Sequence, residues 1–449
     1  MVFALDNQPL SSSGVSAGVE GEIYNVAELC QRFGLFAVKN SCDVIPLLYS
    51  LLGAELLHEL DGVYAGVLYD YATDEYLSIR DPLGEKPLFM ARTGTQVVVV
   101  RELKSLDCIA DFKVLPAGLA KLDLTNMAYE KVATVNDRPK TTAFIERSKV
   151  AEQLNALLVK AVVKRLPAAE QPVGLFLSGG LDSSVLACIL MKIRPDTHFY
   201  TLGTPDSDDL YHVERLVDYL GIQNLHRVAV PDKSQLTSLL ADIVSATESF
   251  NPSIISNGLC SYLLAQQARE TGVTTVLSGE GADELFCGYH MFSPQDDWAL
   301  VRRQLLDDLN FTELRRVHLT CQTHAIDNQS PYLDREIQRL ANNLGYLDFY
   351  DYQHDVLFNK FVLRAAFANE LPDEIVWRKK VSTDVGSGVR GLVVRHLRQD
   401  GLTEREALYR IWQKVFAQRL INKQLHHAPY FSVYPAFDNA IDQRGAEHK

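Results

Sequence analysis

In the run Leu177-Ser178-Gly179-Gly180-Leu181-Asp182-Ser183-Ser184, an apolar segment ends in two glycines and small hydroxyls just before a helical pattern begins. Paired glycines let backbone amides approach an oxyanion closely, and a helix N-terminus adds partial positive charge, so the run predicts a phosphate nest. Ser178 and Ser183 can add hydroxyl donors. Asp182 reads as a helix cap or, in a phosphate site, as a holder of Mg2+. The lysine-ended pattern of phosphoryl-transfer loops is absent. A second run, Leu277-Ser278-Gly279-Glu280-Gly281-Ala282-Asp283-Glu284 followed by Gly288-Tyr289, closes another apolar segment in the same manner. Taken alone, Asp283 there would be a helix cap.

Such runs need strands to carry them. Val173 to Leu177, His198 to Leu202, His226 to Val230 and Thr274 to Leu277 read as strands, and Val150 to Arg165, Ser184 to Ile193, Asp209 to Leu220 and Leu236 to Thr247 as helices. That alternation predicts an α/β fold with a doubly wound parallel sheet, which binds ligands at the carboxyl ends of its strands. Ser178 and Gly279 fall at those ends. From Pro294 onward the pattern is mainly helical. Between residues 15 and 130, short runs such as Gly62 to Tyr69 and Gln96 to Val100 predict a separate sheet-rich domain. The polar, proline-containing stretch Thr134 to Thr142 fits a linker. The expected division is residues 1–135, a linker of 136–145, and 146–449.

Bulk composition excludes several function classes. The chain has 449 residues, 47% hydrophobic and 22% charged, a globular balance for two or three domains. A net charge of -13 with no basic cluster argues against nucleic acid as partner. The N-terminus has no basic start, and no stretch reaches membrane-span length, so the chain reads as cytoplasmic with no membrane association. Seven scattered cysteines without Cys-x-x-Cys spacing read as buried thiols.

The first run resembles the pyrophosphatase loop of the asparagine synthetase superfamily, whose members bind ATP and release pyrophosphate on forming an acyl-adenylate. The second matches that superfamily's second conserved stretch. Lys360-Phe361-Val362-Leu363-Arg364-Ala365-Ala366, Trp377-Arg378-Lys379-Lys380 and Asp384-Val385-Gly386-Ser387-Gly388 look like its lysine-bearing C-terminal segment. The resemblance implies an ATP-pyrophosphatase domain, with ATP and Mg2+ as cofactors and a small amino-acid substrate. Asp182 and Asp283 would share the Mg2+, and Leu202 and Gly279 would line the adenine pocket through their backbones. Lys380 would neutralise pyrophosphate and the oxyanion of the tetrahedral intermediate, and Lys360 is a second catalytic candidate. For any single lysine a solvated surface position is the default, and only the motif raises Lys380 above it. The family also allows a homodimer.

Gly21-Glu22-Ile23-Tyr24-Asn25, Leu60-Asp61-Gly62 and Arg80-Asp81-Pro82-Leu83-Gly84 resemble the family's glutaminase half, an Ntn-hydrolase-like α+β domain. Its nucleophile would be a cysteine at position 2, where this chain has Val2. Glu20 replaces an oxyanion-site asparagine, and a carboxylate repels an oxyanion. Ser41 stands where the family places an amine-recognising aspartate. The expected reading is a degenerate glutaminase domain kept as scaffold.

Without glutamine hydrolysis, the amine is free ammonia or belongs to the substrate. Thr247 to Ile255 and Gly386-Ser387-Gly388 look like β-lactam synthetases, whereas Glu280 is the asparagine synthetase residue. Neither Glu280 nor Leu314-Arg315-Arg316-Val317 supplies the tyrosine–glutamate dyad of the former. Glu280 is the available carboxylate to deprotonate an attacking ammonium. The ranking is intramolecular amide closure of the β-lactam synthetase kind in natural-product biosynthesis, then ammonia-dependent amidation, then peptide cyclisation of the lasso type. A nucleotide-binding relic is disfavoured, because Asp182, Asp283 and Lys380 persist while the glutaminase half has decayed.

Overall fold

The computed structural model describes residues 14–36, 38–135, 147–289, 298–353, 356–398 and 401–432. Position 2, the expected linker of 136–145 and the residues around Pro294 lie outside them. Contacts divide the chain into two compact units, one of Met1–Asp137 with Phe416–Ala428 and one of Arg138–Val415 with Pro429–Lys449.

The first unit stacks helices on two antiparallel sheets. One sheet runs β1 (Val15–Ile23), β2 (Gly62–Asp70), β3 (Glu75–Arg80), β7 (Gly118–Asp123), β8 (Ala128–Ala133) in that spatial order. The other runs β5 (Gln96–Val100), β4 (Phe89–Thr93), β6 (Asp111–Val114). Strand alternation explains the layering. In β2, Tyr64 and Leu68 join a core with Leu29, Ile45 and Leu48 of the helices Val26–Phe33 and Val44–Leu52, whereas Ala65 and Val67 face Met90 and Val99 of the second sheet. The segment Phe416–Ala428 belongs here through a parallel bridge between Ile109 and Leu420, with Ile109 N–H donating to Arg419 O at 2.6 Å and Ile421 N–H to Ile109 O at 2.9 Å.

The second unit is built on a five-stranded, all-parallel sheet ordered β11 (Leu225–Val228), β10 (His198–Leu202), β9 (Val173–Phe176), β12 (Thr275–Leu277), β13 (Asp327–Gln329). All four residues of β9 are buried, as a central parallel strand covered on both faces requires. The helix Leu181–Ile193 follows β9 and Asp208–Leu220 follows β10. Lys233–Thr247 and Pro252–Glu270 separate β11 from β12. Asp232 caps Lys233–Thr247 by accepting from the backbone of Ser234 and Gln235, and Asn251 caps Pro252–Glu270 by accepting from Ser253 and Ile254. Strand order runs outward in both directions from β9, so the chain reverses its winding between β9 and β12. A doubly wound sheet opens its ligand crevice at that point.

The sheet-rich first region and the parallel α/β sheet are both as the sequence predicts. The helix Pro252–Glu270 and the edge strand β13 are additions that the sequence reading did not delimit. No helix among the described residues is long and apolar enough to cross a membrane, and all seven cysteines are free thiols.

Candidate functional site

At the carboxyl end of β9 the loop is folded by its own hydroxyl. Ser183 Oγ accepts from Ser178 N–H at 3.1 Å and donates to Gly180 O at 3.3 Å. Gly179 sits at a φ of 67°, and a Cβ there would come within 2.9 Å of Asp209 O. Glycine is thus demanded by backbone conformation and by the close approach of the helix Asp208–Leu220. Asp182 is not a cap, since Gly180 holds the cap position and the cap makes no side-chain bond. Its carboxylate turns instead toward the second loop, at the end of β12, where Gly279 gives the two loops room: a Cβ would lie 2.9 Å from Asp182 Cβ.

Four charges meet where the loops converge. Lys360 Nζ donates to both oxygens of Asp182 at 2.7 Å and lies 2.6 Å from Asp283 Oδ1. Lys380 Nζ lies 2.6 Å from Asp283 Oδ2 and 3.9 Å from Asp182 Oδ2. Burial works to raise the Asp283 carboxyl, but Lys360 and Lys380 outweigh it and hold it below the ordinary carboxylate range. Burial likewise works to lower the Lys380 ammonium, but Asp283 and Asp182 overcome it and push it up. Asp283 and Lys380 therefore both stay charged near neutrality. Arg378 fixes the segment before Lys380, reaching Ser178 O at 3.3 Å, Asp209 at 2.7 Å and Asp208 at 2.5 Å.

A cavity of about 570 Å³ opens beside this cluster. Of the residues singled out from sequence, Ser178, Asp182, Ser183, Leu202, Gly279, Glu280, Asp283 and Lys380 line it. Gly179, Gly180 and Lys360 do not. Only 2% of Lys360 is exposed, and its Nζ contacts the two aspartates that do line the cavity.

The lining also carries Glu280, Tyr289, Glu313 and Arg316, a grouping that the motifs alone did not announce. Arg316 Nη2 donates to Glu280 Oε2 at 3.4 Å, and its Nη1 to Glu313 Oε1 at 3.1 Å. The Tyr289 hydroxyl donates to Glu284 Oε1 at 2.5 Å and reaches Glu313 Oε1 at 3.4 Å. Tyr289 thus contacts two glutamates, while position 280 is itself a glutamate and 314–317 hold none. Burial raises the Glu280 carboxyl, with Arg316 opposing and Glu313 adding to the rise. Burial, then Glu313 and Asp283, push the Glu284 carboxyl well above its ordinary value. Glu284 and Tyr289 stood inside the second run, but Glu313 and Arg316 lie on the helix Glu313–Thr323, distant in sequence, and their three-residue spacing was the only available signal.

In the first unit, Glu20 forms an ion pair with Arg101, and Ser41 Oγ accepts from Ile23 N–H at 3.1 Å. Burial pushes the Cys42 thiol up to about 11, away from the thiolate a nucleophile needs.

The asparagine synthase family model matches residues 153–316 and 299–436, and a glutamine amidotransferase domain model matches residues 2–108. Glutamine-hydrolysing asparagine synthetase 1 of Saccharomyces cerevisiae is 26% identical over 440 residues, covering 85% of this chain and 75% of its own. Glutamine-hydrolysing asparagine synthetase B of Escherichia coli is 28% identical over 394 residues, covering 82% and 70%. An NH3-dependent NAD synthetase structure from Campylobacter jejuni overlays on 62% of this chain and 99% of its own at 15% identity, with a TM-score of 0.27. This chain belongs to the asparagine synthase family and is an ATP-dependent amide-forming ligase that releases AMP and pyrophosphate.

Proposed function

We propose that the second unit activates a substrate carboxylate as its adenylate and joins it to an amine that does not come from glutamine hydrolysed on the first unit. The observation that carries this reading is the meeting of Asp182, Asp283 and Lys380 in the lining of a cavity that Glu280 also lines. A substrate carboxylate oxygen attacks the α-phosphorus, and pyrophosphate leaves against Lys380, where fixed positive charge stabilises the oxyanions. The loop Ser178 to Ser183 cradles phosphate through its backbone amides, and the backbones of Leu202 and Gly279 border the adenine. Asp182 and Asp283 suit Mg2+: both carboxylates lie within 2.7 Å of a single nitrogen, and one or two carboxylates completed by phosphate oxygens is the donor set this ion takes. Bound there, the ion would neutralise charge on the phosphates.

The amine attacks only when neutral. Glu280, its carboxyl raised by burial, accepts the proton as the new C–N bond forms and AMP departs with its bonding electrons. On the first unit, Glu20 paired to Arg101 at the former oxyanion position and the inert Cys42 thiol support a scaffold without glutaminase chemistry.

Intramolecular closure of the β-lactam synthetase kind is the second reading. The Tyr289–Glu284–Glu313 contact favours it, because such a constellation can take a proton from an amine already held beside the adenylate. The deciding experiment follows pyrophosphate release with ATP and Mg2+ over a panel of amino-acid substrates, with glutamine, with ammonia and with neither. Turnover requiring ammonia supports external amination. Turnover of a diamino or β-amino acid with no nitrogen source, with a product lighter by one water, supports ring closure. Glutamine-driven turnover at the ammonia rate would overturn the scaffold role of the first unit.

A further inference from the structure

Lys360 holds an awkward position. Its φ of 53° places a non-glycine residue in the left-handed region, which side chains rarely adopt. The conformation is enforced from both sides. Arg364, itself 2% exposed, donates through Nε to Asn359 O at 2.7 Å and through Nη2 to Asn359 Oδ1 at 3.1 Å, and also reaches the carbonyls of Val376 and Arg378. Asn359 in turn donates to Gly288 O at 2.5 Å. Gly288 then leaves the lysine its path, because a Cβ there would run into both Lys360 Cε and Asp283 Oδ1. Backbone strain, a buried arginine and a missing side chain all serve to aim one ammonium group at two carboxylates.

Charge accounting gives that arrangement a consequence. Asp182 and Asp283 carry two negative charges, and Lys360 with Lys380 carries two positive ones, so the quartet is neutral. A free divalent cation entering it meets carboxylates whose oxygens are already engaged and two nearby ammonium groups. A cation arriving on a triphosphate brings net negative charge, which draws Lys380 off Asp283 and onto phosphate and so frees Asp283 Oδ2. Lys360 does not line the cavity, and nothing about an arriving triphosphate would compete for its contacts with the aspartates as it would for those of Lys380.

We propose that Lys360 is a positioning residue acting as a built-in counter-cation: it neutralises the Asp182–Asp283 pair while no nucleotide is bound, so that a divalent cation is accepted only together with a triphosphate. The inference rests on the reading of Asp182 and Asp283 as Mg2+ holders.

The test uses the full chain, Mn2+ as probe and electron paramagnetic resonance of the unbound ion, with and without α,β-methylene ATP. Wild-type protein is expected to bind Mn2+ at least about ten-fold more tightly with the analogue than without it. Lys360→Met is expected to bind Mn2+ without nucleotide at least about ten-fold more tightly than wild type, with Lys360→Arg restoring the weak affinity. Equal Mn2+ affinity of the wild type with and without the analogue, or a methionine variant that binds no tighter, overturns the proposal. Should the methionine variant fail to fold, the wild-type comparison alone decides. Asp283→Asn separates the two layers: if it leaves Mn2+ binding with the analogue unchanged, the Mg2+ reading fails and this inference falls with it. If it weakens that binding while the wild type still binds Mn2+ tightly without nucleotide, only the role of Lys360 is wrong.

Discussion

Asp209 shows how a single buried carboxyl can tie site geometry to pH. It is 2% exposed, and burial pushes its carboxyl up to about 6 against the opposing Arg378, which it binds at 2.7 Å. In the unfolded chain the same group titrates near 4. The folded state therefore holds this proton more tightly, so the contribution of Asp209 to stability is full below about pH 4 and is lost as pH rises through about 6. Asp209→Asn should flatten that slope, with the wild-type minus variant difference in unfolding free energy changing by on the order of 1–3 kcal/mol across the window. Denaturant titrations at several pH values read it directly. At Glu280 the expected effect is on chemistry. Glu280→Gln should keep ATP–pyrophosphate exchange while amide formation falls roughly 10²–10⁴-fold. In the wild type, amide formation should decline as pH falls through the raised pKa of Glu280, because protonation removes the base. Loss of exchange together with amide formation would move Glu280 from proton transfer to substrate binding.

Among the elements, the helix Pro252–Glu270 matters most to the site, since Ser253, Asn257, Cys260 and Ser261 from its first half line the cavity. Its start is fixed by Asn251, whose Oδ1 accepts from Ser253 N–H at 2.9 Å and whose Nδ2 donates to Ser432 O at 3.1 Å. Asn251→Ala removes both contacts. Unfolding stability should drop by about 1–2 kcal/mol, and KM for the carboxylate substrate should rise more than kcat falls as the first turn frays. Calorimetry and steady-state kinetics together check this. An unchanged KM would mean that the cavity face of this helix is held by packing alone. Proline at its first position and asparagine before it were visible signals for this start. Its weakly amphipathic face was not, because a helix buried on most sides lacks the periodic contrast by which helices are recognised.

For the whole molecule, the last described stretch is shared out. Phe416–Ala428 belongs to the first unit and Pro429–Lys449 to the second. Within the second, Tyr430 donates to Glu248 Oε2 at 2.8 Å, Arg315 stacks 3.7 Å over the Tyr430 ring, and Phe431 O accepts from Phe250 N–H at 2.9 Å. Ending the chain after Val415 would strip the first unit of its Ile109–Leu420 bridge and the second of the buried Tyr430 and Phe431. Each lost apolar side chain costs about 1.5–3 kcal/mol, so thermal unfolding of both units should shift downward together. A shift confined to one transition in calorimetry would show that the other unit does not depend on this segment.

Local sequence specified the two glycine turns, the parallel strands that carry them, and the placing of Asp182 and Asp283 just beyond strand ends, whereas Lys380, between the helices Asp373–Val376 and Thr383–Gly386, was singled out by the motif match alone. These are local matters: a buried apolar strand, a turn that needs glycine and a helix start are each written in a few consecutive residues. The rest depended on the packing of segments distant in sequence. Lys360 meets Asp182 and Asp283 through a path set by Arg364, Asn359 and Gly288, which joins segments distant from one another in sequence. The carboxylates around Arg316 came together only when the helix Glu313–Thr323 folded beside the second loop. The raised pKa of Glu280 exists only there, since burial and like charge shift a titration only once packing removes water and brings groups within reach of one another.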